Sequence, residues 1–521
     1  MKKIVHIAVG FAAIGCCSCD KFLDVAPDNR TSLASPAAVQ ELLVTAYPDM
    51  QYFHVLETMS DNASERRVSP SHTRQLLLES MYKWEDGDLA GTGYDTPSNI
   101  WYGCYKAIAS ANQALEAIAA APDPERYSAQ KGEALVCRAF AHFMLVNIFA
   151  EHYSPATANS APGVPYMLAP EKIAAPDYTR RSVQEVYDLV EQDLQAGLHL
   201  IDDAVYTVPK YHFTKAAAHA FAARFYLYKG GESGGSVWDS VIVHATAAMG
   251  DGSIAEKLLP LDDSAQFVNA SYDEYKINYR DVKQPNILLL VGSYSYWASD
   301  HINGNLPYGM MREHSDNLFY AENVAGTKGS SGIFYKTWFT SASTAGFLSK
   351  YNSYSTRTLG AWLTVEDALL MRAEAYAMKK EYGLAIADVD IFLSKRLKGG
   401  ANITSKAAEK GETAIETIAG FYTDNKLQYP AMQPHYALDS DGYQIPLLKC
   451  IVGWRRLEFF QEGLRWFDVK RFHIPVTHKF PYTMQPTVTL TDNDPRRALQ
   501  IPSDAQPYGI GKNPREGNFE F

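Results

Sequence analysis

Paired helical segments, rich in alanine and aromatic residues, constrain the fold of this chain more than any other sequence feature. From Trp101 to Ile118 apolar residues recur every three or four positions, and Gly132 to Phe149 follows with the same spacing. In both segments small residues stand one turn from bulky ones, an arrangement that lets neighbouring helices approach closely. The pattern predicts an all-α, mainly helical fold built from helix pairs.

Helix start and stop signals delimit a second pair. Ser182 and Glu185 have the spacing of a capping box, and apolar periodicity continues to Leu198. Thr214 is a candidate N-cap for the partner helix, which we expect to stop at Gly230.

A third unit begins at another capping-box spacing, from Thr364 to Asp367. We expect this helix to run into a turn at Gly383 and to be followed by a returning helix over residues 385–397. One last helix is predicted over residues 452–470.

These pairs resemble tetratricopeptide units, although their spacing is irregular and a strict 34-residue period is absent. We therefore expect a degenerate helical solenoid over about 101–230 and 362–470. A long loop-rich insert over about 251–360 is rich in Tyr, Ser, Gly and Asn, and 61–98 is a shorter stretch of the same type; such segments are commonly functional. No low-complexity linker interrupts the chain, so residues 19–521 are predicted to form a single domain.

The first 18 residues have the pattern of a lipoprotein signal peptide. Lys2 and Lys3 precede the apolar run Ile4–Ile14, which is about half the ~20 apolar residues that a membrane-spanning helix requires. A cluster of cysteines follows the run. Cys19 is the preferred candidate for lipidation, and Cys16 is the alternative.

Charge and cysteine usage exclude several classes of function. The 48 Lys and Arg against 59 Asp and Glu give a net charge of −11, and no basic stripe or tail is present, which argues against nucleic-acid binding and favours a neutral ligand. Cys104, Cys137 and Cys450 are far apart within helical patterns, so we expect buried free thiols. They lack the paired spacing of a zinc site, and no metal is predicted.

Candidate ligand-binding residues concentrate in the irregular stretches. Sugar binding uses flat aromatic faces together with a few planar polar groups. The insert contributes Tyr294, Tyr296, Trp297, Asn303, Tyr308 and Trp338, and the earlier stretch contributes Arg66, Tyr82 and Trp84. The structural alternative is that most of the 33 Tyr and 8 Trp pack in the core, and that Tyr294 and Tyr296 share one face of a short strand.

No enzymatic motif stands in the sequence context that its chemistry requires. Gly231 to Gly235 fits the G-x-S-x-G pattern of hydrolases but follows a helix within a Gly-rich turn, whereas a nucleophile elbow follows a strand. Asp439 to Gly442 lacks the closing Glu of a calcium loop, so a tight turn is expected there. We predict no catalytic residue and no cofactor.

The signal pattern is followed by Cys19-Asp20-Lys21-Phe22-Leu23-Asp24-Val25-Ala26-Pro27. This stretch resembles the mature start of the SusD/RagB family of outer-membrane lipoproteins, which is why Cys19 is preferred over Cys16. The resemblance continues, in order, along nearly the whole chain. Further matches are Ser60-Asp61-Asn62, Trp101 through Asn112, Gly132-Glu133-Ala134 with Arg138-Ala139-Phe140, Thr214 through Ala218, and Glu374-Ala375.

The most specific match is Arg455-Arg456-x-Glu458-x-x-x-Glu462-Gly463-x-Arg465-Trp466-Phe467-Asp468. We predict a structural role for it: the spacings from Arg456 to Glu462 and from Glu458 to Arg465 indicate ion pairs that tie the last helix to the solenoid. Trp454 departs from the family, which often has Glu at that position.

The resemblance implies a lipid-anchored protein on the outer membrane that faces the cell exterior. It also implies that the protein binds oligosaccharides without cleaving them and caps a SusC-like TonB-dependent transporter. Ligand contacts vary within the family, so the resemblance transfers no site residue. Two alternatives remain, a peptide-binding RagB-like receptor on the same scaffold and a helical-repeat adaptor, and the Tyr/Trp/Asn-rich insert favours the glycan-binding interpretation.

Overall fold

The computed structural model describes residues 33–65, 72–86, 94–173, 178–259, 286–293, 308–309, 324–325, 357–423, 429–460 and 462–516. Within these ranges the chain forms 15 α-helices and six short strands. The helices are α1 (Pro36–Leu43), α2 (Phe53–Met59), α3 (His72–Tyr82), α4 (Pro97–Ala120), α5 (Ser128–Phe149), α6 (Val183–Leu198), α7 (Lys215–Lys229), α8 (Val237–Met249), α9 (Ile254–Lys257), α10 (Val365–Met378), α11 (Tyr382–Ser394), α12 (Ile403–Lys410), α13 (Ala414–Thr423), α14 (Gln444–Glu458) and α15 (Leu464–Arg471). The strands are β1 (Ser64–Glu65), β2 (Asn286–Ser293), β3 (Tyr308–Gly309), β4 (Arg357–Thr364), β5 (Val476–His478) and β6 (Val488–Leu490).

The helices stack largely in chain order, which confirms the predicted all-α solenoid. α4 packs on α5 and α5 on α6, whereas α7 packs on α8. α10 then covers α8 and also contacts α11 and α14, so the helices before and after the insert form one continuous core.

The predicted helix starts are confirmed by their hydrogen bonds. Ser182 and Glu185 form a reciprocal capping box at the start of α6. Thr214 caps α7 by accepting from the Ala217 N–H, and Thr364 caps α10 by accepting from the Asp367 N–H. α7 ends where predicted, because Gly230 has a φ of 59°.

The prediction of a single last helix is wrong, because the chain forms two helices, α14 and α15. The break is at Gly463, whose φ of 72° lies in the left-handed region. Its N–H donates to the Glu57 carboxylate at 2.9 Å, and a Cβ at this position would lie 3.0 Å from the Phe53 Cα. The close approach of α2 therefore requires glycine here.

The turn predicted at Gly383 is also displaced along the chain. Gly383 lies inside α11, and the chain reverses three residues earlier, at Lys380, which has a φ of 62°. The glycine was therefore a misleading signal for the turn.

Two parts of the predicted loop-rich insert are strands and not irregular chain. β2 and β4 pair antiparallel, and Leu288, Leu289 and Trp362 are buried where this sheet meets the helices. β4 runs directly into α10 at Thr364. The chain between β2 and β4 consequently begins and ends at one place, a two-stranded sheet.

One helical segment of the described part of the chain could cross a membrane by its length and composition, but it is a core helix. Residues 124–149 are long and apolar enough to cross a membrane, yet their most apolar window is completely buried within the protein. Cys104, Cys137 and Cys450 are buried free thiols, as predicted. Burial raises the pKa of Cys450 to about 12, so this thiol stays protonated at neutral pH.

Candidate functional site

Asp61 begins the first aromatic-rich stretch and is fixed by the two arginines of the C-terminal motif. Arg465 binds both Asp61 carboxylate oxygens, at 2.7 and 2.8 Å, and Arg456 lies 3.2 Å from one of them. Burial alone would raise the pKa of Asp61, but the two guanidinium groups hold it well below its ordinary value.

The predicted pairing of Arg456 with Glu462 and of Arg465 with Glu458 is therefore wrong in its partners. Glu458 binds Arg396 instead, at 2.7 Å. The motif still has the predicted structural role of tying the last helices to the rest of the protein. The partners of Arg456 and Arg465 lie about 400 positions away, and Arg396 lies 62 positions from Glu458, so none of them is within reach of a helical-spacing argument.

A ladder of buried charges, which we call the ionic ladder, continues from this motif into the solenoid. Asp367 accepts from Arg224 at 2.7 Å and from Arg455 at 2.8 Å. Asp468 joins Arg455, at 3.3 Å, to Arg471, which also binds Glu374. All of these side chains are almost completely buried. The ionic ladder thus connects α7, α10, α14 and α15.

Three of the predicted ligand residues meet in one aromatic stack, made of Tyr308, Tyr82, His478 and Trp84. Strand β3, which ends the Tyr/Trp/Asn-rich part of the insert, pairs with β1 in the earlier stretch. Tyr82 stacks on Tyr308 at 4.7 Å and on His478 at 3.9 Å, and His478 stacks on Trp84 at 4.4 Å. Two aromatic-rich stretches that are far apart in the sequence therefore converge.

Trp84 is held in an unusual position at the end of this stack. Its φ of 55° is rare for a bulky residue and costs conformational energy that the surroundings must offset. Its Nε1–H donates to the Met59 carbonyl at 2.9 Å, and the Arg496 guanidinium lies over its ring at 5.9 Å. Only 3% of Trp84 is exposed, so a ligand reaches its ring face only if Arg496 moves.

A cleft next to Trp84 combines this ring with polar side chains from the C-terminal segment. Arg496 is anchored by Asp494 at 2.5 Å, and Asp86 accepts from Arg515 at 2.6 Å and from Gln500 at 3.1 Å. Planar guanidinium, carboxylate and amide groups of this kind bind sugar hydroxyls well. The cleft has a volume of about 110 Å³, too small for a whole oligosaccharide, so further contacts must come from other residues.

Sequence reasoning missed the C-terminal contribution to the cleft and His478. The segment with Arg496, Gln500 and Arg515 has no periodicity or motif. Its place in the cleft is evident only from its contacts with Asp86, which is distant in the sequence. The remaining predicted site residues lie outside the described residues: Arg66, Tyr294, Tyr296, Trp297, Asn303 and Trp338, together with the lipidation candidates Cys19 and Cys16.

A second cavity, of about 640 Å³, lies against the connection between α5 and α6. Tyr166, Tyr178, Arg180 and Arg181 contribute to its lining. Arg180 donates to the carbonyls of Gly163 and Gly511, and burial lowers its pKa to about 10. Of the predicted ligand residues that the structure describes, Tyr82, Trp84 and Tyr308, none lines this cavity.

The two motifs weighed as signs of catalysis or calcium binding form turns. The Ser233 hydroxyl donates to the Met378 carbonyl and accepts from the Gln444 amide. Asp441 accepts from the N–H groups of Tyr443 and Gln444, which agrees with the predicted tight turn. Among the described residues, no group of three or more His, Cys, Asp or Glu is placed to hold a metal ion.

The stacked helices and the ionic ladder define a helical-repeat protein. The cleft at its periphery is a candidate surface site that is lined on one side by the Trp84 ring. Residues 21–227 match a family model, SusD-like, described as "Starch-binding associating with outer membrane". No curated protein sequence matches. The match covers the first part of the chain, through most of α7, and shows that this part is similar to the SusD-like family.

Solved structures of that superfamily share the fold over nearly the whole chain. A SusD superfamily protein from Bacteroides fragilis is 18% identical with a TM-score of 0.60, covering 92% of this chain and 99% of its own. One from Bacteroides thetaiotaomicron is 16% identical with a TM-score of 0.61, covering 92% and 100%. A SusD-like carbohydrate binding protein from Bacteroides vulgatus is 16% identical with a TM-score of 0.61, covering 91% and 97%.

Proposed function

We propose that this protein binds oligosaccharides at the outer membrane without cleaving them. The observation that carries the proposal is the convergence of two aromatic-rich stretches in the Tyr308–Tyr82–His478–Trp84 stack, beside a cleft of planar polar groups. The starch-binding description of the matching family and the carbohydrate-binding description of the Bacteroides vulgatus neighbour support the same ligand class.

The ligand-binding face consists of the Trp84 cleft together with aromatic residues of the insert. Arg496 is about one-third exposed, so it can swing from the Trp84 ring and present its guanidinium to sugar hydroxyls. Since the cleft holds only part of a sugar chain, the remaining contacts are assigned to Tyr294, Tyr296, Trp297, Asn303, Trp338 and Arg66.

Two carboxylates line the cleft, and they belong to the chain neighbours Glu85 and Asp86. Asp86 is engaged by Arg515 and Gln500, so it acts as a hydrogen-bond acceptor. A glycosidase requires a second carboxylate across the scissile bond, one of the two serving as a proton donor. We assign the cleft to recognition alone.

The wider role rests on the family description and on the N-terminal pattern. We propose that Cys19, or alternatively Cys16, carries a lipid that anchors the protein on the outer membrane facing the exterior. There it delivers oligosaccharides to a SusC-like TonB-dependent transporter. Mass spectrometry of the membrane-extracted protein would identify the lipidated cysteine.

Calorimetric titration of the protein with plant, host and microbial glycans, and with mixed peptides, tests the ligand class. One glycan class should release heat, and Trp297→Ala and Arg496→Ala should each weaken binding about tenfold, the loss of one good contact. Tyr178→Ala, which removes an aromatic ring from the larger cavity, is the matched control and should bind normally.

Two results would contradict parts of the proposal. If peptides release heat of binding and no glycan does, a peptide receptor on this scaffold would be favoured. Glycan binding that is lost in Tyr178→Ala and kept in the other two variants would place the site in the cavity beside the α5–α6 connection. Circular dichroism of each variant separates lost binding from lost folding.

A further inference from the structure

Two histidines on neighbouring helices face each other at the surface of the solenoid. His219 lies in α7 and His244 in α8, and these helices pack directly against one another. The two Nδ1 atoms are 2.8 Å apart, and both rings are half-buried. The ring of Tyr226 stacks on His244 at 5.6 Å and keeps that imidazole in its orientation.

The two Nδ1 atoms share one hydrogen bond, so one imidazole donates and the other accepts through a free lone pair. Neutral imidazole is the form that binds transition metals, because one ring nitrogen keeps a free lone pair.

The spacing of the two nitrogens selects a metal geometry. With metal–nitrogen bonds of about 2.0 Å, adjacent ligands at 90° lie about 2.8 Å apart, whereas tetrahedral ligands lie about 3.3 Å apart. The observed 2.8 Å is the length of the hydrogen bond that the two rings share, and it also equals the separation that the 90° arrangement of square-planar or tetragonal complexes requires, so these complexes need the smallest movement of the rings. Cu²⁺ and Ni²⁺ prefer that arrangement, and Cu²⁺ binds nitrogen ligands more tightly than Ni²⁺ or Zn²⁺.

We propose that His219 and His244 form a surface site for a tetragonal divalent transition metal, with Cu²⁺ as the preferred ion. The metal binds both Nδ1 atoms in place of their shared hydrogen bond. The proton on the donor Nδ1 moves to the Nε2 of the same ring, so both rings stay neutral and no net proton is released. Water completes the coordination, because no third His, Cys, Asp or Glu of the described residues is placed to do so.

The bound ion would cross-link α7 to α8 next to the place where α10 covers them. It lies on different residues from the proposed glycan site and does not depend on it. Binding should therefore stabilise the solenoid and leave glycan affinity unchanged.

Titration of the untagged full-length protein with Cu²⁺ alone, followed by electron paramagnetic resonance and by thermal unfolding, tests the proposal. One Cu²⁺ should bind with nitrogen hyperfine structure and raise Tm. His219→Gln and His244→Gln should each weaken this binding by about tenfold or more, whereas the nearby exposed His199→Gln should change it by less than about threefold. Zn²⁺ should bind more weakly than Cu²⁺.

Undiminished Cu²⁺ binding in either His219→Gln or His244→Gln would overturn the proposal, as would a larger loss in His199→Gln than in these two. Glutamine keeps a polar side chain at each half-exposed position, and thermal unfolding without metal confirms that each variant is folded. Equal affinity for Zn²⁺ and Cu²⁺ would refute the square-planar assignment.

Discussion

The helices before the insert and those after it are held together by different forces. Before the insert, α5 and α6 approach so closely that a Cβ on Gly197 would lie 2.8 Å from the Gly132 carbonyl oxygen, and apolar packing dominates. Arg138 and Asp193 add one buried ion pair there, at 2.7 Å. After the insert, the ionic ladder joins α10, α14 and α15 to one another and to Arg224 of α7, and Arg396 links Glu366 to Glu458 beside it.

The difference shows what local sequence specifies and what it leaves to the whole fold. Close packing between adjacent helices needs small residues at helical spacing, and these recur locally. A buried ion pair needs two partners at one point in space, and Asp367 is 143 positions from Arg224 and 88 from Arg455. The helices after the insert are therefore positioned by residue pairs whose two members lie far apart in the sequence. No short segment contains both members of such a pair.

The largest effect is expected from breaking the ionic ladder at its branch point. Asp367→Ala would leave Arg224 and Arg455 buried without their shared carboxylate, lowering the free energy of unfolding by about 3–5 kcal/mol. Lys106→Ala is the control, because its pair with Asp49 is exposed and should contribute about 1 kcal/mol or less. Urea unfolding measures both, and equal losses would mean that the ladder does not hold these helices.

A smaller loss of stability is expected from a substitution that widens the close contact of α5 at Gly132. Gly132→Ala would place a Cβ 2.9 Å from the Ile201 backbone nitrogen, forcing the chain apart at a cost of about 1–3 kcal/mol. Gly383→Ala in α11 is the matched control, since a Cβ there meets no atom within 4 Å and the helix should gain up to about 1 kcal/mol. If both variants have the same stability in urea, close approach is not what holds α5.

The smallest effect is a pH dependence at Lys470, which joins the two regions. Its ammonium donates to the carbonyls of Asn147 and Ala150 at the end of α5, and burial lowers its pKa to about 7. The unfolded chain keeps this proton up to about pH 10.4, so between these values the unfolded state binds more protons.

The free energy of unfolding should consequently rise with pH above 7, by at most about 1.4 kcal/mol per pH unit from this group. Urea unfolding of the wild type and of Lys470→Met at pH 7.5 and 9 isolates the contribution, because other titrating groups are common to both proteins. A constant difference between the two proteins would show that Lys470 keeps its ordinary pKa.

How much of the fold the sequence predicted depended on the range of the contacts. Ser182, Thr214 and Thr364 specify helix starts through hydrogen bonds within three residues, so each was found correctly. The break at Gly463 was missed because its cause is the approach of Phe53 and Glu57, about 400 residues earlier.

The candidate site divides in the same way. Composition identified Tyr82, Trp84 and Tyr308 as members of aromatic-rich stretches, and these stretches do meet. All three rings are buried, which agrees with the core-packing alternative that the number of Tyr and Trp residues raised, and composition did not indicate that His478 and Arg496 would lie over Trp84. Those contacts belong to the C-terminal segment, whose sequence resembles an ordinary polar loop.

The aromatic stack also has a consequence for the order of folding. The Tyr82 hydroxyl binds the Lys479 carbonyl 397 positions away, and Tyr308 pairs through β3 with a strand near the start of the described chain. Contacts of such long range carry a large loop-closure cost and form late, after the local helix pairs. The cleft therefore forms only when nearly the whole chain has been synthesised and folded. Acquisition of ligand affinity can consequently be used to detect the completion of folding.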